Sequence, residues 1–228
     1  MDAPPGSTYS VEPEGLSAIY SVLAGDKVAR RWEREIRRLP ADVDRLVLWA
    51  PDGALKDSDW QQLEDWVAKG GTVLIATDSD ASRLKGSAKS TGQQTAGSAA
   101  VQPLTAGVNS VSIDGGAFSL VREGALADLT LADGSPVLIS WPHGRGRFYW
   151  SADLGWLTNS HIGQQANLTL ALGLLLPGQG KQVAFDEYHH GFQAADRWWQ
   201  LLRGHLQWFV ALLALAAAVL FWAYGARF

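Results

Sequence analysis

The sequence predicts an α/β domain built on a largely parallel sheet flanked by helices and followed by a C-terminal transmembrane helix. Three observations carry this reading. Residues 46–50 and 72–77 are continuous apolar runs, and between them Trp60, Leu63, Trp66 and Val67 fall on one helical face. That is the pattern of two strands buried on both faces and joined by a crossover helix, which makes the strands parallel. A third apolar run at 182–185 delivers Asp186 and Glu187 at its end, and ligands in such sheets sit at the carboxyl ends of the strands. Finally, residues 206–226 are apolar except for Gln207, with Trp208, Trp222 and Tyr224 near the two ends. A bilayer core needs roughly 20 apolar helical residues, and aromatic belts mark its interfaces.

Composition bounds the function. The chain has 228 residues, of which 47% are apolar, enough for the core of one α/β domain ahead of the apolar tail. Its net charge of −4 gives no reason to expect nucleic acid as a partner. Residues 27–45 hold seven basic side chains, but Glu33, Glu35, Asp42 and Asp44 are interleaved with them, which fits a solvated face. Zero cysteines exclude disulfides, thiolate metal sites and every cysteine nucleophile.

In chain order, residues 1–13 read as a polar tail with neither the basic nor the apolar region of a signal peptide. Leu16, Ile19, Tyr20 and Leu23 mark a short helix that Gly25 terminates, and 28–32 alternates as a strand. Ser58 and Gln61 suggest a capping box for the crossover helix, which Gly70 and Gly71 stop. Residues 79–107 are rich in Ser, Thr, Gly, Ala and Gln and read as a mobile surface insertion, and weak strand candidates follow around Val111 and Leu120. Two strands at 136–141 and 147–152 flank a glycine-rich hairpin loop at 142–146. Those glycines make a weak phosphate cradle, since no P-loop motif is present. Residues 153–165 open a helix that runs to Leu176 and is cut off by Pro177 and Gly178. The predicted division is a 1–13 tail, a 14–192 α/β domain, an interfacial helix at 193–205 with Arg197, Trp198, Trp199 and Arg203, and a span at 206–226.

The candidate site is the stretch Asp186, Glu187, Tyr188, His189, His190 and Gly191. One reading is a hydrogen-bonded knot that fixes a joint or lines a binding cleft, because buried charges must be paired or hydrogen-bonded. Gly191 would supply backbone freedom for the turn, and Asp153, Asn159 and Asn167 would join from neighbouring elements. The alternative is a divalent metal held by Asp186, Glu187, His189 and His190. Glu187 and His190 stand at i, i+3, as do Asp186 and His189, a spacing that serves metal sites on helices. Adjacent histidines diverge by about 100° on a helix, so His161, Asp153 or His143 would have to complete the shell.

The sequence at 66–71 (Trp-Val-Ala-Lys-Gly-Gly) entering a strand, Gly144-Arg145-Gly146-Arg147, Asp153 followed by Thr158, Asn159 and Asn167, the 185–191 stretch, and a final helix ending in Arg227 and Phe228 resemble the membrane-protein family catalogued as domain of unknown function 4350. The resemblance implies a glutamine amidotransferase-like or flavodoxin-like fold, placed outside the cytoplasm and held between two transmembrane helices. It also implies work alongside MoxR-type AAA+ ATPases and von Willebrand A-domain proteins in a bacterial membrane complex. No apolar helix precedes residue 14, so either the start is trimmed or misplaced, or the domain stays inside as a tail-anchored protein. Amidotransferase chemistry needs a cysteine thiolate activated by histidine, and no cysteine exists. A Gly-x-Ser-x-Gly elbow is also missing. The expected function is therefore a non-catalytic, cofactor-free binding or scaffold domain at a membrane, with a metal-dependent hydrolase using residues 186–190 as the alternative.

Overall fold

A computed structural model describes residues 3–51, 53, 55–77, 87–90, 92–99, 107–192 and 212. The chain divides into two compact units, Met1–Gly191 and Phe192–Phe228. Among the described residues no helix is long and apolar enough to cross a membrane. The predicted interfacial helix and, apart from Leu212, the predicted span lie outside the described residues.

Helix α1 (Ser17–Gly25) buries Ile19 and Leu23, the two positions that the i, i+4 spacing places on one face. Strand β1 (Ala29–Trp32) follows, then a 3-10 turn (Ile36–Arg38) and β2 (Val43–Trp49). Helix α2 (Asp57–Ala68) packs Trp60, Leu63 and Val67 against the sheet. It starts two residues earlier than a Ser58 cap would place it: Lys56 is the N-cap, and its N–H donates to Asp59 Oδ2 at 3.3 Å. Aspartate serves the first turn better than the predicted Gln61, because a carboxylate both accepts the orphan N–H and complements the helix dipole.

Strand β3 (Thr72–Ala76) completes a parallel β2–α2–β3 unit, with Leu46 opposite Val73 and Leu48 opposite Ile75. Strands β4 (Ser87–Ser90) and β5 (Gln94–Ser98) fall inside the predicted insertion, and β6 (Val111–Ile113), β7 (Gly116–Leu120) and β8 (Leu126–Thr130) follow. Strands β9 (Pro136–His143) and β10 (Gly146–Ser151) form the hairpin. Helix α3 (Asn167–Leu175) leads into β11 (Gln182–Asp186).

Nine strands make one sheet in the order β1-β11-β2-β3-β10-β9-β8-β5-β6, while β4 and β7 form a separate ribbon. From β1 to β10 the neighbours are parallel. From β10 to β6 they are antiparallel. The sheet is mixed rather than largely parallel, because β9, β8, β5 and β6 extend it from β10 in antiparallel pairs, and the strands between residues 94 and 130 carry little apolar periodicity that would signal them. In β5, for example, only Ala96 is buried, and the backbone ladder has to supply most of the pairing. Residues 153–166 form turns, and α3 begins only at Asn167. The reason is local: the Asp153 carboxylate takes the N–H groups of Gly155 and Trp156 at 2.9 Å each, offering the backbone an alternative to helix.

Two cores lie on opposite faces of the sheet. One joins α1, α3, Val47, Leu74, Val183 and Phe185, and the other joins α2, Leu46, Leu48, Ile75 and Ala184. Alternation along β11 therefore sends Asp186 toward the α2 face and Glu187 toward the α1 face.

Candidate functional site

Glu187 is wholly buried, and its carboxylate is held by the N-terminal segment. Ser7 Oγ donates to Oε2 at 2.6 Å, while Thr8 N and Thr8 Oγ1 donate to Oε1 at 2.7 and 2.5 Å. Arg31 on β1 completes the arrangement. Its Nε donates to Thr8 Oγ1 at 2.8 Å and its Nη2 to the Thr8 carbonyl at 2.9 Å. The same guanidinium lies 4.1 Å from the ring centres of both Tyr9 and Tyr20, a cation–π sandwich. The Tyr9 hydroxyl donates to Glu33. Burial first, then the bond to Glu33 and its charge, push that hydroxyl up to about 12.

The predicted tail is thus a packed strap over the carboxyl ends of β2 and β11. Ser7, Thr8 and Ser10 are buried. Gly6 crosses the end of β2 with φ +76, where a Cβ would lie 2.7 Å from the Trp49 carbonyl oxygen. Only glycine combines that conformation with so close an approach.

Asp186 takes the other direction. His189 Nδ1 lies 2.8 Å from Asp186 Oδ2, and the His189 N–H donates to the same oxygen at 3.3 Å. His189 Nε2 faces Asp59 Oδ2 of α2 at 3.5 Å. Burial alone would lower the imidazole, but the hydrogen bond and charge of Asp186, followed by the charge of Asp59, hold it above its ordinary value. His190 is buried, and among the described residues neither of its ring nitrogens has a hydrogen-bond partner. A 3-10 turn (Tyr188–His190) carries these side chains and closes at Gly191 with φ +84.

The 186–190 stretch is therefore two devices on two faces, not one knot. Glu187 binds the strap and Asp186 binds the α2 side. The alternative metal set of Asp186, Glu187, His189 and His190 does not converge, and among the described residues no three His, Asp or Glu side chains stand where they could hold one ion.

Asp153, Asn159 and Asn167 belong to a separate network. The strand that ends before Asp153 is three positions from β11 in the sheet, roughly 14 Å at normal strand spacing. Asp153 accepts four backbone N–H groups, from Gly115, Gly116, Gly155 and Trp156. Asn167 Oδ1 accepts from Ser112 N, and its Nδ2 donates to the carbonyls of Ser112 and Trp156. Asn159 Oδ1 accepts from Ala18 N at 2.8 Å, serving a first-turn donor of α1, and its Nδ2 donates to the carbonyls of Ser10 and Glu12. These three side chains tie loops together.

The hairpin glycines hold no phosphate cradle. Arg145 N donates to the Ala68 carbonyl and Arg147 N to that of Gly71, so the hairpin caps the carbonyl end of α2. His143 sits at that same amino edge of the parallel strands, remote from Asp186. The ring nitrogens of His161 contact Ser160 and Gln93. The residues that sequence reasoning missed are Ser7, Thr8, Arg31 and Asp59. Their spacing to the partners Glu187 and His189 spans from 130 to 180 positions, and no local pattern signals such contacts.

The mmIFT52 N-terminal domain matches the fold with a TM-score of 0.54 at 11% identity, covering 68% of this chain and 86% of that one. Cytoplasmic Protein STM1381 from Salmonella typhimurium LT2 gives 0.46 at 14% identity over 69% and 80%. Gan42B, a GH42 β-galactosidase from G. stearothermophilus, gives 0.38 at 13% identity over 53% of this chain, which spans only 20% of that chain. No curated protein matches the sequence. Beyond the fold, the sequence itself assigns the family: the chain belongs to the Domain of unknown function (DUF4350) family, whose profile matches residues 8–175, a span that includes Asp153, Asn159 and Asn167 and ends before Phe185.

Proposed function

We propose that this protein is a non-catalytic α/β binding or scaffold domain, anchored at a membrane by residues 206–226 and acting within a membrane complex. The observation that carries the reading is the state of two described acids at the carboxyl edge of the parallel strands. Glu187 is consumed by Ser7 and Thr8, and Asp153 by four backbone amides. A general acid or base must be free to reach a substrate proton, and these two carboxylates are spent on the protein's own chain. With no cysteine in the sequence, the edge has the character of a rigid surface that presents groups to a partner. MoxR-type AAA+ ATPases and von Willebrand A-domain proteins are the partner classes that the family resemblance suggests.

The test is affinity purification of the full-length protein from native membranes in mild detergent, with mass spectrometry of what co-elutes. Enrichment of an AAA+ ATPase or a von Willebrand A-domain protein over a tag-only control is the expected result. An eluate holding this chain alone, under conditions that preserve a known membrane complex, would overturn the scaffold role.

A further inference from the structure

We propose that His189 is a pH-dependent clamp that joins the 3-10 turn after β11 to the first turn of α2, closed when its imidazole is doubly protonated. The inference starts from the geometry of the turn and stands whether or not the domain is a scaffold. Asp186 Oδ2 lies 2.8 Å from Nδ1 and also accepts the His189 N–H, so the Nδ1 position carries a proton in either charge state. In the neutral ring Nε2 then bears a lone pair. That lone pair faces Asp59 Oδ2 at 3.5 Å, and among the described residues Nε2 has no hydrogen-bond partner. Acceptor faces acceptor, which is repulsive. One added proton converts the same contact into a cation facing a carboxylate, with a donor aimed at an acceptor.

The two carboxylates come from different elements. Asp186 ends β11, whereas Asp59 sits in the first turn of α2, where it also accepts the Lys56 N–H. Among the described residues these are the charged groups that act on the imidazole. The Tyr188 ring lies edge-on at 5.2 Å, and Arg37, from the turn after β1, acts on Tyr188 rather than on His189. His190, next along the turn, forms no hydrogen bond through its ring among the described residues. Both partners of the clamp are mostly buried, with side-chain exposures of 12% and 12%, so solvent and salt screen the contact only partly.

The sign follows from linkage. Asp186 and Asp59 hold the folded-state value above the ordinary one, overcoming the opposing effect of burial. The clamp's contribution is therefore fully present below the unfolded-state value of about 6.5 and is lost as pH rises through the higher folded-state value. Above that value, the α2-side wall of the carboxyl edge loses its tie to the turn that follows β11.

The experiment is a side-chain NMR titration of the full chain in detergent micelles, for the wild type, D59N, D186N and H189Q, with thermal unfolding recorded across the same pH range. Asparagine at position 59 keeps an acceptor for the Lys56 N–H, so D59N retains the helix cap. In the wild type His189 is expected to titrate above the ordinary histidine value, and both D59N and D186N are expected to lower it. The gain in melting temperature on acidification should be largest for the wild type, smaller for D59N and smallest for H189Q. A wild-type His189 that titrates at or below the ordinary value, or one that D59N leaves unmoved, would overturn the clamp. If D186N does not fold, the D59N comparison decides alone.

Discussion

Glu187 shows at the residue scale how this fold tolerates a buried charge. Its carboxylate has no exposed surface and is neutralised by three donors from Ser7 and Thr8, with Arg31 one hydroxyl away. An alanine there would strand two hydroxyls and one amide, each costing about 1–3 kcal/mol when left unsatisfied. Glutamine keeps one oxygen for Thr8 and lets Ser7 rotate to accept from the new amide. We therefore expect E187A to lower stability by on the order of 3 kcal/mol and E187Q by less than half of that, as measured by urea unfolding midpoints at constant m. Equal losses for the two would mean that the charge, not the hydrogen bonding, holds the strap. That Glu187 and Asp186 matter was legible from their crowding at the end of an apolar run. That they serve opposite faces follows from strand alternation, whereas their partners lie too far along the chain for any spacing to reveal.

At the scale of elements, the parallel βαβ unit was readable because burial on both faces forces continuous apolar runs, and β2 and β3 have them. In the antiparallel half only the β9–β10 hairpin was readable in the same way, because β5 and β8 bury few side chains and draw their order from backbone pairing. The hairpin between β9 and β10 shows what glycine does at such a junction. A Cβ on Gly146 would lie 2.0 Å from the Gly71 carbonyl oxygen and 2.2 Å from that of Val67. Both obstacles are backbone and cannot rotate away. At Gly180 a Cβ meets nothing within 4 Å, and only the φ of +71 resists substitution. G146A should therefore cost on the order of 3 kcal/mol or prevent folding, and G180A about 1 kcal/mol, measured by thermal denaturation of the two variants side by side. Comparable melting temperatures would show that the hairpin does not dock on α2 as described.

For the whole molecule, the decisive element is the one the sequence made look dispensable. Residues 3–13 are polar, contain three prolines and show no periodicity, so composition assigns them to a tail. Truncation tolerance depends instead on burial and hydrogen bonding of the affected backbone, and here Gly6 N is bonded to Glu14 O, Leu16 N to Ser7 O, and Ser160 N to Pro13 O. The segment lies over the carboxyl edge, the position a ligand takes in other open α/β sheets, and Asn159 anchors it from the far loop. Deleting residues 3–13 would uncover the Glu187 carboxylate, remove both of the bonds that Thr8 accepts from Arg31, and free the end of β2. If the strap is part of the folded unit, the truncated chain should melt well below the full chain, with faster amide exchange at the ends of β2 and β11 than in β9 and β10, which lie across the sheet. If it is a tail, both quantities stay unchanged. The exchange pattern separates the two cases even where the melting temperatures differ for other reasons, because only a strap predicts loss of protection at the ends of the strands it crosses.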